Sequence, residues 1–453
     1  MMGHRARRAA VAITSIATVT ALALSGCTPS GNNGGGTTTG PITDEQREEA
    51  LNTPTELTFW TWVPDIQDQV DLFEKKYPAI KVKVENVGQG LDHYTKVRTA
   101  IQAGSGAPDV IQLEYQYISS FSVSGDLLDL APYGAADLED QYVPWVWNQV
   151  VDGDKVYSIP QDSGPMGNLY REDILTAAGV TEPPATWEDY RTAAEAVRAN
   201  TSSYISNIAS NQAGQWLGLF WQAGAKPFGF DGDKGVTIDV NSAEAKKVVS
   251  YWQDMIQNDL VSVDPDFNDD WYQGLNQGKY AGWLTAAWAP VFLSGAAGDT
   301  SGLWRAAPLP QWKAGDNVSG NWGGSSDAVL SGTKIPIAAY ELAKWINNDK
   351  EPALQFATQQ FLFPTATAVL EDPAFTGQEP EFYGGQKVNE LFAGISDTVD
   401  TEFQWLPFMD FAYSSFTDTF GAAVAAKGDL SAGLDEWQKA LTDYATQQGF
   451  TVK

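Results

Sequence analysis

Between Leu57 and Leu113 the chain switches repeatedly between two periods of hydrophobicity. "LTFWTW", Leu57 to Trp62, reads as a strand running into a loop. From Asp65 to Tyr77 the apolar residues Ile66, Val70, Phe73 and Tyr77 share one helical face, and Pro78 ends the helix. "IKVKVENV" alternates Ile80, Val82 and Val84 with charged residues, which is strand spacing. Leu91, Tyr94, Val97 and Ile101 restore the helical spacing, and "DVIQL", Asp109 to Leu113, is a third strand. This β-α-β-α-β order predicts a parallel sheet with right-handed crossovers. Ligands of such sheets bind beyond the carboxyl ends of the strands. Trp60, Trp62, Gln89, Glu114 and Tyr115 are therefore expected on one rim.

The amino terminus has a different character. His4 to Arg8 is a basic run, Ala9 to Leu24 is apolar and uncharged, and Ser25-Gly26-Cys27 closes it. This is the layout of a secretory signal peptide, and the apolar run is short for a membrane span. Cys27 is the one cysteine of the chain, and Leu24 to Cys27 resembles a bacterial lipobox. That resemblance implies a signal peptide over 1–26 and a lipid on Cys27, anchoring the protein to the outer face of the cytoplasmic membrane. Thr28 to Pro41 is rich in Gly, Asn and Thr and reads as a flexible tether of roughly 20 Å. A short polar helix follows over 42–52, with Thr43 and Gln46 placed for a capping box. Residues 27–54 thus form a tether and helix ahead of the folded body.

Removing Arg5, Arg7 and Arg8 with the leader from the 28 basic residues leaves 25 against 57 acids, a formal charge of −32. Nucleic acid and anionic lipid need basic surface, so neither is an expected partner of the body. About 400 residues with 43% apolar content imply at least two core-bearing units. Of the 17 tryptophans, several fall in predicted loops, where core packing does not explain them.

Taken together these segments resemble the extracellular solute-binding proteins of carbohydrate ABC importers, the class that includes maltose-binding proteins. The match is carried by "LTFWTW…LFEKKYPAIKVKVE", "GSGAPDVIQLE", "DKVYSIPQD…LYREDILTAAGV…PPATWEDY", "LNQGKYAGWLTAAWAP", "NWGGSSDAVLSGTK…AYELAKWI" and "AKGDLSAGLDEWQKAL", in that order. The resemblance implies a two-lobe periplasmic-binding-protein fold of α/β class, with a hinge and an interlobe cleft. Lobe 1 is expected at 55–160 plus 318–361 and lobe 2 at 161–317 plus 362–453. The crossings would fall near Gln161–Met166, Leu309–Asn317 and Leu362–Val369, which contain or adjoin Pro or Gly. It further implies an oligosaccharide ligand, permease subunits as partners, a monomer, and no cofactor or catalytic residue. Gln112-Leu113 stands where some maltose binders carry an aromatic, so the sugar is not specified.

A pyranose presents C–H faces and a fringe of hydroxyls. Indole rings cover the faces, and carboxylates accept charge-assisted bonds from the hydroxyls. Trp288 matches the family's sugar-stacking tryptophan. Trp322 precedes Gly323-Gly324, where bare backbone can approach a ligand; Glu114 and Asp162 follow apolar strand segments; Trp405 precedes Pro407 in a predicted loop. Trp252, on the apolar face of a helix over 242–258, is expected in a core, as are Trp187, Trp345 and Trp437.

Two other classes compete. Tryptophan-rich clefts with paired carboxylates also describe glycosidases, but His93 is the one histidine left after the leader and no nucleophile motif appears. "DPDFNDD", Asp264 to Asp270, fails as an EF-hand loop because Asp269 holds the glycine position and Leu275 the glutamate position, so no metal site is assigned. An acidic cleft also suits a cationic solute such as a polyamine, or a peptide.

Overall fold

The computed structural model describes residues 40–453; the expected signal peptide and Cys27 lie outside them. Strands β1 (Thr55–Trp60), β2 (Ile80–Glu85) and β3 (Val110–Glu114) are parallel, with β1 in the middle. The helices Gln67–Lys76 and Leu91–Ala103 make the crossovers. Leu57, Phe59, Val70, Phe73, Ile80 and Val97 are buried, as the two periods require.

Four more strands complete the sheet: β4 (Ser158–Arg171), β5 (Gly282–Ala286), β6 (Trp304–Pro308) and β7 (Asn321–Val329). β7 is antiparallel to β3 on one side and to the first half of β4 on the other. The second half of β4 is held between β5 and β6. The segment 161–166, expected as a crossing between lobes, lies inside the unbroken β4. Its glycines have a packing cause. A Cβ on Gly164 would stand 2.0 Å from the Trp322 carbonyl oxygen, and one on Gly167 would stand 2.8 Å from the Phe392 ring. Residues 309–317 form a loop whose Gln311 exchanges backbone bonds with Ala185 and Trp187. The passage from that side of the molecule to β3 is made by β7.

The helix Ala213–Gln222 is buried on every face and lies on β7. Gly214 and Gly218 permit this approach, since a Cβ on Gly218 would meet the Met166 sulfur at 2.2 Å. Helices Ala243–Gln257 and Leu430–Gln447 pack on each other, with Trp252 and Trp437 fully buried between their neighbours.

The short helix Asp44–Asn52 carries both bonds of the Thr43–Gln46 capping box. It docks on the helix Pro336–Asn348 through the ion pair of Arg47 with buried Glu341, and Arg47 Nη2 also donates to the Tyr133 carbonyl at 2.9 Å. The helix is therefore bolted to the parallel-sheet half of the molecule. Among the described residues no helix is long and apolar enough to cross a membrane.

Candidate functional site

The ends of β1 and β3 place the first group of side chains. Trp62 is half-buried, and its backbone N–H donates to Gln112 Oε1 at 3.1 Å. Its ring meets His93 and Tyr94 edge-on, at 5.0 and 6.3 Å between centroids. Glu114 is partly exposed and accepts from Tyr94 Oη at 2.9 Å and from Gln116 Nε2 at 3.0 Å. Burial pushes its carboxyl pKa up, against the pull of those two donors. The same desolvation pushes His93 down to about 4, so the imidazole is neutral.

β7 and the helix that follows β5 place the second group. Trp288 is the N-cap of the helix Ala289–Ala296, and its Nε1 donates to the Trp322 carbonyl at 2.6 Å. The two indoles are nearly perpendicular, 5.2 Å apart. Phe267 and Phe292 flank Trp288 at 6.2 and 6.0 Å, and both are exposed. Gly323 adopts φ +80°, and a Cβ there would stand 3.1 Å from Trp288 Nε1, so this backbone must lack a side chain.

Tyr413 joins the groups. Its hydroxyl and the Trp322 indole both lie over Gly214, and its ring is 6.3 Å from that of Tyr117, which in turn is 4.3 Å from Tyr94. An arc of rings thus runs from Trp62 through Tyr94, Tyr117, Tyr413 and Trp322 to Trp288 and Phe267, with Glu114 bonded to one of them. Tyr94, Tyr117 and Trp322 are buried, and Trp62, Tyr413, Trp288 and Phe267 keep accessible faces; flat apolar surface beside a carboxylate acceptor is what a sugar ring requires on desolvation.

The other expected site residues are placed differently. Trp60 is buried, with Nε1 donating to Glu85 Oε2 at 2.8 Å. Gln89 is exposed between Gly88 and Gly90, both of positive φ. Tyr115 is buried against Gly324, with its hydroxyl on the Asp162 carbonyl at 2.8 Å. Asp162 is buried within β4, where its carboxylate accepts from the Ser325 N–H at 2.8 Å and from the Ser325 hydroxyl. Burial raises its pKa to about 6. Trp405 lies in a different cluster, beside Phe403 and Trp221, with Nε1 donating to Gln149 at 2.6 Å.

Tyr94, Tyr117, Phe267 and Tyr413 were not singled out from the sequence. Three sit on or beside helices, where their spacing reads as core. Phe267 has φ +58°, which no sequence period reveals. It is held there by Asn211, whose amide pairs with both the N–H and the carbonyl of Asp266.

Comparison with known proteins gives a consistent picture. The sequence profile described as bacterial extracellular solute-binding protein matches residues 60–351. An arabinooligosaccharide-binding protein of Bacillus subtilis (strain 168) is 28% identical over 66% of this chain and 70% of its own length. A lactose-binding protein of Rhizobium radiobacter is 24% identical over 87% of this chain and 93% of its own. Among solved structures, the ABC transporter associated binding protein of B. animalis subsp. lactis Bl-04, in complex with beta-1,6-galactobiose, is 35% identical. It superposes with a TM-score of 0.78 over 89% of this chain and 100% of its own. With its profile matched over more than half the sequence and this fold, the chain belongs to the bacterial extracellular solute-binding protein family.

Proposed function

We propose that this protein captures a short oligosaccharide outside the cell and delivers it to the membrane subunits of an ABC importer. The observation that carries the reading is the arc of rings from Trp62 to Trp288 with the Glu114 carboxylate among them. A cationic solute would also use the carboxylate but has no need of so much flat apolar surface. Relatives whose names record arabinooligosaccharide, lactose and galactobiose as ligands favour the sugar. We assign Trp62, Gln89, Glu114, Trp288 and Gly323 to ligand contact and add Phe267 and Tyr413; the buried rings of Tyr94, Tyr117 and Trp322 back them from behind. Trp60, Tyr115, Asp162 and Trp405 are assigned to support of the cleft. The protein is read as a binder: Asp162 is tied to Ser325 inside the sheet, so it is not free to act opposite Glu114 as a glycosidase partner.

The lobes are proposed to divide at β4 and β7, with 55–160 joined to the distal part of β7 and the helices after it. Ligand would bind between the lobes and favour their closed arrangement by its differential affinity for it. The mature chain would be a monomer tethered by a lipid on Cys27. A thermal-shift screen against di- and trisaccharides of galactose, arabinose and glucose tests the sugar reading. A ligand at 100 times its dissociation constant should stabilise by about 2.7 kcal/mol. A screen in which polyamines or peptides stabilise and no sugar does would replace it.

A further inference from the structure

Behind Trp288, on the other side of its helix, lies a cavity of about 170 Å³. Trp288 and Phe292, one turn apart, face the ring arc. Pro290, Val291 and Ser294 face the cavity, which Phe363, Phe375 and Phe382 also line and which opens to solvent on one side. An apolar cavity of about 150 Å³ in another protein binds benzene, and this apolar pocket has room for one six-membered ring on the same scale.

The polar groups at the wall have partners within the protein. Tyr383 Oη donates to the Pro290 carbonyl at 2.9 Å, Ser294 Oγ to the Val291 carbonyl at 2.9 Å, and Asn389 Nδ2 to Gln378 Oε1 at 3.0 Å. A sugar placed here would lose hydration with few bonds in return. An aromatic or short alkyl group would not.

Phe361, also in the wall, supplies an independent observation. It follows the end of the helix Lys350–Gln359, with φ +60° and half of its surface exposed. This is the position just past a helix where the left-handed conformation is usually taken by glycine. A phenylalanine there carries backbone strain, and strain of this kind persists where the surroundings impose it and collects at ligand clamps.

We propose that this cavity is a second binding site, for a monocyclic aromatic group, with Phe361 as its gate. The site goes beyond oligosaccharide capture and does not depend on it. Benzene is the probe, and thermal melts of the whole chain are the readout. At tenfold excess over its dissociation constant benzene should raise the melting temperature of wild type by roughly 1–2 °C, saturably. Ser294→Phe fills the cavity and should abolish the shift. Phe361→Gly should weaken benzene binding severalfold while raising the ligand-free melting temperature, because glycine relieves the strain. No saturable shift in wild type, or an equal shift in Ser294→Phe, overturns the proposal. Should Ser294→Phe fail to fold, wild-type crystals under xenon decide: xenon in the cavity supports the site, and an empty cavity overturns it.

Discussion

Trp288 has two duties that the structure makes inseparable. Its face belongs to the ring arc, while its Nε1 holds the Trp322 carbonyl and so fixes the turn at Gly323. If stacking on a sugar removes about 100 Å² of apolar surface from water, its loss is about 2.5 kcal/mol. Trp288→Ala should then bind roughly 60-fold more weakly and also melt earlier, because Trp322 and Phe267 lose a neighbour. Trp288→Phe should keep much of the affinity. Calorimetric titration with unliganded melts separates the two effects; unchanged affinity would remove Trp288 from the site. Glu114 is the proposed acceptor of a sugar hydroxyl. Glu114→Gln should weaken binding by about 10-fold or more, from loss of a charged hydrogen bond. Because burial raises the Glu114 carboxyl, wild-type affinity should begin to fall while the pH is still above the ordinary carboxylate range, and a titration series in pH reads this.

At the scale of elements, β7 couples the cleft to the hinge. Ser325 has Glu114 as its neighbour on β3 and Asp162 as its neighbour on β4. Gln112 Nε2 donates to Ser325 Oγ, and Gln112 Oε1 accepts from Thr61 and from the Trp62 N–H. Two residues on, Asp327 is fully buried; one oxygen accepts from Gln161 and Asn347 and the other has no partner. Burial raises Asp327 to about 7 and Asp162 to about 6. A carboxyl whose folded pKa is raised binds protons more tightly in the native state. Its stabilisation is complete below about pH 4 and is lost as the pH rises through 6 to 7. The melting temperature should therefore be higher at pH 5 than at pH 7.5. Asp327→Asn should raise it at pH 7.5 and flatten the dependence between them; a profile identical to wild type would mean that Asp327 does not titrate there.

How much of this was legible follows from the same elements. β1 to β3 and their helices were readable because one face of each is buried and the other is wet, so hydropathy carries the period. β4 was not, because it is buried along nearly its whole length and its glycines answer to Trp322 and Phe392, residues far away in sequence. The tryptophans divide similarly. Trp252 was legible as core from its helical face, whereas Trp288 was singled out by its family position, and its ring neighbours Trp322 and Phe267 are not local in sequence. Trp405 was placed in the cleft on loop context, and the structure sets it beside Phe403 and Trp221, neighbours that no local sequence pattern announces.

For the whole molecule, charge and the proposed lipid anchor belong to one account. A formal charge of −29 on the full chain keeps copies apart. The helix Asp44–Asn52 is docked on the parallel-sheet half, so under the proposed anchoring that half should stay oriented to the membrane while the other moves. Cys27→Ser should leave the protein in the soluble fraction or unprocessed, with ligand affinity intact. A cleaved variant that remained in the membrane fraction would contradict lipid anchoring.

The most direct measurement of the central claim is a calorimetric titration of the purified chain with beta-1,6-galactobiose and with arabino- and gluco-oligosaccharides, at low and high salt, beside Glu114→Gln and Trp288→Ala. Capture of a neutral oligosaccharide predicts one-to-one saturable binding of at least one of these sugars, little changed by salt and weakened in both variants. No heat from any sugar, or binding that both variants retain in full, would contradict it.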